Sequence, residues 1–225
     1  MPSSIPHALN TLCAGLILIS AFAMVATRQV QGVTRFFVAQ SILLATSCFL
    51  LAYSQHSTDL FALGLITIGA KVVTIPWVLR RLLPADFYER REITQGINIP
   101  TSLLLALLLA IFAEFLMSPI VDAAHNPVIA LNLPIGLACL LIGAYSLVAR
   151  REAIPQLIGI LAMENGTFFA GIAIAPQLPI IAELAIAVDV ALIAVVVGLL
   201  TRTIRETLGT TEAASLGELK EEAAK

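Results

Sequence analysis

The sequence predicts an all-α, polytopic bundle of about seven helices embedded in a membrane, and three observations carry that reading. Hydrophobic residues make up 59% of the 225 positions and charged residues only 12%, against about 45–50% and about 25% in soluble domains. Mean hydropathy is +0.95. The apolar residues also fall into long runs bounded by charges or prolines, each close to the ~20 residues that one helical crossing needs. Seven crossings would use roughly 140 residues and leave about 85 for loops and ends. That leaves no room for a soluble catalytic domain, so the chain is not expected to be an enzyme on its own.

The spans follow in order. The first, 7–26, has no Lys or Arg ahead of it, which argues against a cleaved secretory signal and for a permanent span. The second, 36–53, follows Arg28 and Arg35, and the third, 60–79, runs into Arg80 and Arg81. The fourth, 100–117, opens on Pro100 after the longest connection, 80–99. Its Asp-Phe-Tyr-Glu-Arg-Arg-Glu cluster suits either a contact for a peripheral arm or a loop facing water and headgroups. The fifth, 128–149, ends at Arg150 and Arg151, and the sixth, 154–175, is joined to the seventh, 179–203, by a tight Ala-Pro-Gln-Leu-Pro turn. The tail, 207–225, is rich in Ala, Glu and Lys and is either a short surface helix or disordered. The implied organisation is a three-helix segment over 1–82, a cytoplasmic loop with a fourth helix over 83–127, a three-helix module over 128–205 and a cytoplasmic tail over 206–225.

Cations orient this plan. Twelve of the 13 Lys and Arg residues lie in the connections 1–2, 3–4 and 5–6 or after span seven. The connections 54–59, 118–127 and 176–178 carry none. The positive-inside rule therefore puts the N-terminus outside and the C-terminus in the cytoplasm. With 13 cations against 15 acids, nothing points to a nucleic-acid partner. Cys13, Cys48 and Cys139 sit in apolar runs without metal-ligand spacing, so no metal or other cofactor is expected in this chain. His7, His56 and His125 fall at the outer boundary rather than paired at mid-bilayer, as axial haem ligands would be, and read as exposed loop polars.

The remaining charges are the informative ones. Lys71, nine residues before Arg80, is central in span three, with Thr67 at i−4 and Thr74 at i+3 forming a polar stripe. Pro76 lacks the amide that would bond the carbonyl of Val72, leaving a place beside the ammonium for water or protons. Alternatively, the lysine is salt-bridged to fix packing. Glu164 is central in span six, with Thr167 and Gly171 on its face, where small residues admit close helix approach or a file of water. Asp189 is central in span seven, and the tight turn should hold it at nearly the depth of Glu164, close enough to share a proton. Burial and a nearby cation act on a carboxyl group in opposite senses, which lets such groups accept and release protons. The competing reading is a neutral, hydrogen-bonded pair joining helices. Glu183 and Glu114 lie nearer the outer ends of spans seven and four, on a possible transport route or at the interface.

The last three spans carry a further pattern. An Arg-Arg-x-x-x-Pro start (Arg150, Arg151, Pro155) leads to Leu-Ala-Met-Glu-Asn-Gly, and Glu-Leu-Ala-Ile-Ala-Val-Asp-Val-Ala-Leu-Ile-Ala-Val-Val-Val-Gly-Leu-Leu-Thr-Arg follows the turn. This resembles hydrogenase-4 component E, a membrane subunit of group 4 nickel–iron hydrogenase and formate hydrogenlyase complexes. Residues 128–205 also look like the K subunit of complex I and the C subunit of Mrp antiporters. The resemblance implies a non-catalytic subunit in a bacterial or archaeal cytoplasmic membrane, with the metals held elsewhere. Its implied partners are antiporter-like and quinone-chamber-like membrane subunits, the lipid bilayer and, indirectly, a hydrophilic hydrogenase arm. The two pathway glutamates of the K subunit fall on Glu164 and on Asp189, or on Glu183 in place of the latter. Spans one to three resemble a degenerate copy of the module, with Lys71 as its central ionisable residue and Gln40 as a polar neighbour near the start of span two. The competing functions are an independent transporter, for which Pro76, Lys71 and Pro134 with Asn132 would supply a midplane site, and a structural scaffold.

Overall fold

A helix in hydrocarbon must satisfy its own backbone, so the ends and irregularities of each span are where the sequence shows its hand. The computed structural model describes residues 4–82 and 97–174. Within them lie α1 (Ser4–Ala26), α2 (Val30–Gln55), α3 (Thr58–Thr67), a π-helical segment (Ile68–Thr74), α4 (Ile75–Leu82), α5 (Ile99–Ala124), α6 (Pro127–Ala149) and α7 (Ala153–Ile174). With α3, the π segment and α4 forming one span over Thr58–Arg80, six helices are long and apolar enough to cross a membrane. The predicted seventh span, the 80–99 connection for the most part and the tail lie outside the described residues. All described residues belong to one compact unit, Met1–Asp189.

The caps explain the turns. Ser57 accepts from the amide of Leu60 at 3.4 Å, and Asp59 sits in the first turn of α3, where a carboxylate complements the helix dipole. Asn126 accepts from the amide of Val128 at 2.9 Å ahead of Pro127. The preceding helices end on His56 and His125, both left-handed, with φ of 52° and 49°. Histidine is among the non-glycine residues that tolerate this region, and both are exposed.

Two boundaries differ from the sequence expectation. α2 begins at Val30 rather than 36, so Arg35 is an exposed helical residue and Gln40 is central instead of near the start. α5 does not stop at 117 but continues through Pro119 to Ala124. The hydroxyl of Ser118 donates to the carbonyl of Phe115 at 3.3 Å, the acceptor for which Pro119 has no amide. Glu114 is therefore deep in its span instead of near its outer end.

The core is built from α1, α2, α6 and α7, with Ile17, Leu44, Leu51, Ile142, Phe169 and Ile172 fully buried. α6 and α7 are the most extensively packed pair, because glycines interlock between them. A methyl placed on Gly166 would lie 2.6 Å from the carbonyl oxygen of Gly136, and one on Gly143 would lie 3.0 Å from that of Gly159. Close approach thus runs through Gly159 and Gly166 rather than through the Thr167 and Gly171 face expected from the sequence. Gly171 has open space around it, and Thr167 is exposed, donating to the carbonyl of Met163.

α1 and α6 run in the same direction at matched depth. Asn10 donates to Asn132 at 2.9 Å, Cys139 approaches the carbonyl of Ile17 at 4.0 Å, and Arg150 donates to the carbonyls of Met24 and Thr27. These pairs are separated in sequence by 122, 122, 126 and 123 residues.

Candidate functional site

At mid-span, three helices contribute polar side chains to one buried cluster. Lys71 and Glu164 form an ion pair, with Nζ to Oε2 at 3.3 Å and side-chain exposures of 1% and 7%. Lys71 also donates to Oδ1 of Asn165 at 3.1 Å and lies 4.7 Å above the ring centre of Phe168, where the quadrupole of the ring attracts a cation. Asn165 donates onward to Oε1 of Gln40 at 3.2 Å and to the hydroxyl of Ser41 at 2.9 Å. Ser41 in turn donates to the carbonyl of Phe37 at 3.0 Å. Gln40, Ser41 and Asn165 are all buried.

The local backbone explains how a lysine reaches this place. The π-helical segment Ile68–Thr74 carries Lys71, and such widened turns cluster at functional positions in proteins. The amide of Ile75 donates five residues back, to the carbonyl of Ala70. Pro76 comes next in that register and has no amide to give to the carbonyl of Lys71, where a regular α-helix would have placed the gap at Val72. The widening also breaks the expected polar stripe. Thr67 is buried and donates to Leu63, whereas the hydroxyl of Thr74 turns back to the carbonyl of Gly69 at 2.8 Å. On α7, Glu164 and Phe168 are one turn apart and flank the ammonium together, while Asn165 reaches α2.

Of the residues singled out from the sequence, the structure brings together Lys71, Glu164 and Gln40. Glu114 is exposed, on a helix that packs against α6 and α1, and lies apart from the cluster. Asp189 and Glu183 lie outside the described residues. The partner the described residues give Glu164 is Lys71, 93 positions away in sequence. Asn165, Ser41 and Phe168 join the cluster without standing out in the sequence. Asn165 carried a signal, since an amide beside a glutamate in the middle of an apolar run has no cheap place in lipid.

A second buried polar group lies closer to the N-terminus of α1. Ser47 donates to Asn10 at 2.6 Å and Asn10 donates to Asn132 at 2.9 Å, tying α1, α2 and α6. Asn132 is thus committed to a helix contact here. Arg150, counted among the orienting loop cations, is buried at 3% exposure. Its contacts with Met24 and Thr27 cap the last carbonyls of α1, where a cation complements the helix dipole. Burial pushes its guanidinium down to about 10, so it remains charged at neutral pH. Arg28, Arg35, Arg80 and Arg151 are exposed at the end of the bundle where α1, α4 and α6 finish.

The comparisons with known proteins are distant but nearly full-length. The chain is 27% identical over 209 residues to an uncharacterized protein of Mycobacterium tuberculosis, covering 92% of this chain and 94% of that one. It is 25% identical over 218 residues to hydrogenase-4 component E of Escherichia coli K12, covering 92% and 95%. The Shigella flexneri protein of the same name matches to the same extent. No protein-family model matches the chain, and no solved structure does.

Proposed function

We propose that the chain is a non-catalytic membrane-arm subunit of a multisubunit, complex I-related hydrogenase of the formate hydrogenlyase or hydrogenase-4 type. It contributes buried charged residues to a proton or cation path driven by redox chemistry in other subunits. The distant relationship to hydrogenase-4 component E and the six apolar helices fit such a subunit. The observation that carries the proton-path reading is the buried Lys71–Glu164 pair with its hydrogen-bonded extension to Gln40 and Ser41. The metals and electron carriers belong to other subunits in this reading, and the chain is multi-pass in a bacterial or archaeal cytoplasmic membrane.

The cluster supports two charge states. In one, the Glu164 carboxylate and the Lys71 ammonium are paired. In the other, a proton arriving at Glu164 neutralises the carboxyl group, and the ammonium stays held by Asn165 and the Phe168 ring. Departure of that proton restores the pair, so one proton enters and one leaves per cycle. Asp189 or Glu183 in the next span, and Glu114, are the further acids through which the path would continue.

The internal repeat belongs to this proposal. The near-constant offset between α1 and α6 contacts, and the separation of 124 residues between Ser41 and Asn165, support a first three-helix segment that copies the second, with α5 inserted between them. The test is Glu164→Gln and Asp189→Asn in the assembled complex. Both should assemble in normal amounts and impair coupled proton translocation. Full coupling with full assembly would leave the cluster as a helix clamp, the reading favoured by the several contacts that immobilise Lys71. A protein that purified alone and catalysed ion flux in liposomes would instead indicate an independent transporter.

A further inference from the structure

We infer that Glu114 marks the contact of α5 with another membrane subunit, and that the contact is a helix presenting a lysine or arginine at mid-bilayer depth. The inference rests on the reading of the chain as one subunit of a membrane complex.

Depth is the first observation. Glu114 lies 15 residues after Ile99 and 10 before Ala124 in an unbroken helix, or about 22 Å and about 15 Å along the axis. A ~30 Å hydrocarbon core centred on this helix, itself about 39 Å long, leaves Glu114 about 10 Å inside the nearer boundary, beyond the reach of a glutamate side chain. Intramembrane acids therefore face a bundle interior, a water-filled cavity or a partner.

Exposure is the second. α5 is the least covered of the six spans, with 11% of its apolar window buried against 39–67% in the others. It is held by a narrow stripe, Ser102, Ala106 and Ala113. Glu114 follows Ala113 by one residue and so points about 100° away from that stripe. It shares a face with Leu107, Ile111 and Ser118, all exposed. One face of α5 thus sets a carboxyl group among large apolar side chains, and it is the acid, not the apolar residues around it, that calls for a partner there.

Charge selects the occupant. The described cation at mid-depth is already engaged, because Lys71 pairs with Glu164. The other described cations, Arg28, Arg35, Arg80, Arg81, Arg150 and Arg151, all lie at helix ends. The chain's own segment 175–201 contains no Lys or Arg and two acids, Glu183 and Asp189, so it has no cation to offer at that depth. A second copy of α5 would oppose one carboxyl group with another. A cation-bearing helix of a different subunit is the complementary partner.

The test uses the complete complex in native membranes. A photo-crosslinking residue is placed at Ile111 or at Ser118, leaving Glu114 intact, and the cross-linked peptide is sequenced. The expected product joins α5 to a helix of another membrane subunit that carries a Lys or Arg. Glu114→Lys should then release most of that subunit on mild detergent extraction, Glu114→Gln should release less, and exchanging the partner's cation for Glu should restore retention to Glu114→Lys. The membrane content of each variant is measured alongside, so that loss of folding is separated from loss of contact. A cross-link to 175–203 of the same chain, to a second copy or to lipid alone would overturn the inference, as would full retention of partners by Glu114→Lys. A wild-type chain that brings no membrane subunit with it would fail the complex-subunit reading itself, a different outcome from intact co-purification that ignores Glu114.

Discussion

At mid-span, Lys71 and Glu164 are tolerable in hydrocarbon only as a set. A lone lysine at a helix centre costs about 2.5–3.5 kcal/mol on insertion scales, and breaking a buried ion pair by removing one partner costs about 3–5 kcal/mol. Lys71→Ala removes the ion pair, the Asn165 bond and the Phe168 contact together and should destabilise the protein more than Glu164→Gln, whose amide oxygen can still accept from the ammonium. Asn165 is the hub, with hydrogen bonds to Lys71, Gln40 and Ser41. Its replacement by Ala should lower stability by about 3 kcal/mol, at about 1 kcal/mol for each bond, read as a lowered thermal midpoint of the detergent-purified protein. The ionisable residues themselves were legible in the sequence, since a charge in an apolar run stands out without any structure. Their pairing was not, because Lys71 and Glu164 meet only once the π-helical segment and α7 have both packed against α2. Asn165 stands beside Glu164 in the sequence but is less conspicuous there, because an amide carries no formal charge.

Helix contacts decide how firmly that set is held. Gly166→Ala would place a methyl 2.6 Å from the backbone of both Gly136 and Leu140, and overpacking of this kind costs about 1–3 kcal/mol. Since Gly166 adjoins Asn165 and is two residues from Glu164, pushing α7 away from α6 should also disturb the Lys71 cluster. Gly171→Ala, on the open face, should be neutral or mildly stabilising, because Ala is the better helix former by ~1 kcal/mol. Opposite signs for the two glycines in one thermal denaturation series would verify the packing face. Arg150→Ala should cost up to ~2 kcal/mol through loss of the α1 cap, with Arg150→Lys recovering part of it. The glycine face could not be read from the sequence, because α7 carries glycines on two sides and only the partner helix distinguishes them. Nor could the extension of α5, where Ser118 covers the carbonyl left by Pro119 and removes the reason for the helix to stop.

For the whole molecule, apolar run lengths were enough to find the six described crossings, and the caps at Ser57 and Asn126 account for the turns between them. The parallel course of α1 and α6 was beyond sequence reading, although Asn10 and Asn132 stand at matching places in the two segments. The orientation inferred from the cations predicts that a thiol introduced at exposed Thr58 will react with an impermeant maleimide in intact cells, and that one at exposed Gln29 will react only after the membrane is opened. The native Cys13, Cys48 and Cys139 are buried and give a quiet background. Reversed labelling would invert the topology. Whether the buried Lys71–Glu164 cluster carries protons is decided by turnover-driven proton uptake into inverted membrane vesicles containing the Glu164→Gln complex. The predicted result is a complex present at wild-type levels, with its hydrogenase subunits attached, that has lost most of its proton translocation. Wild-type translocation by that same intact complex would show that the cluster carries none.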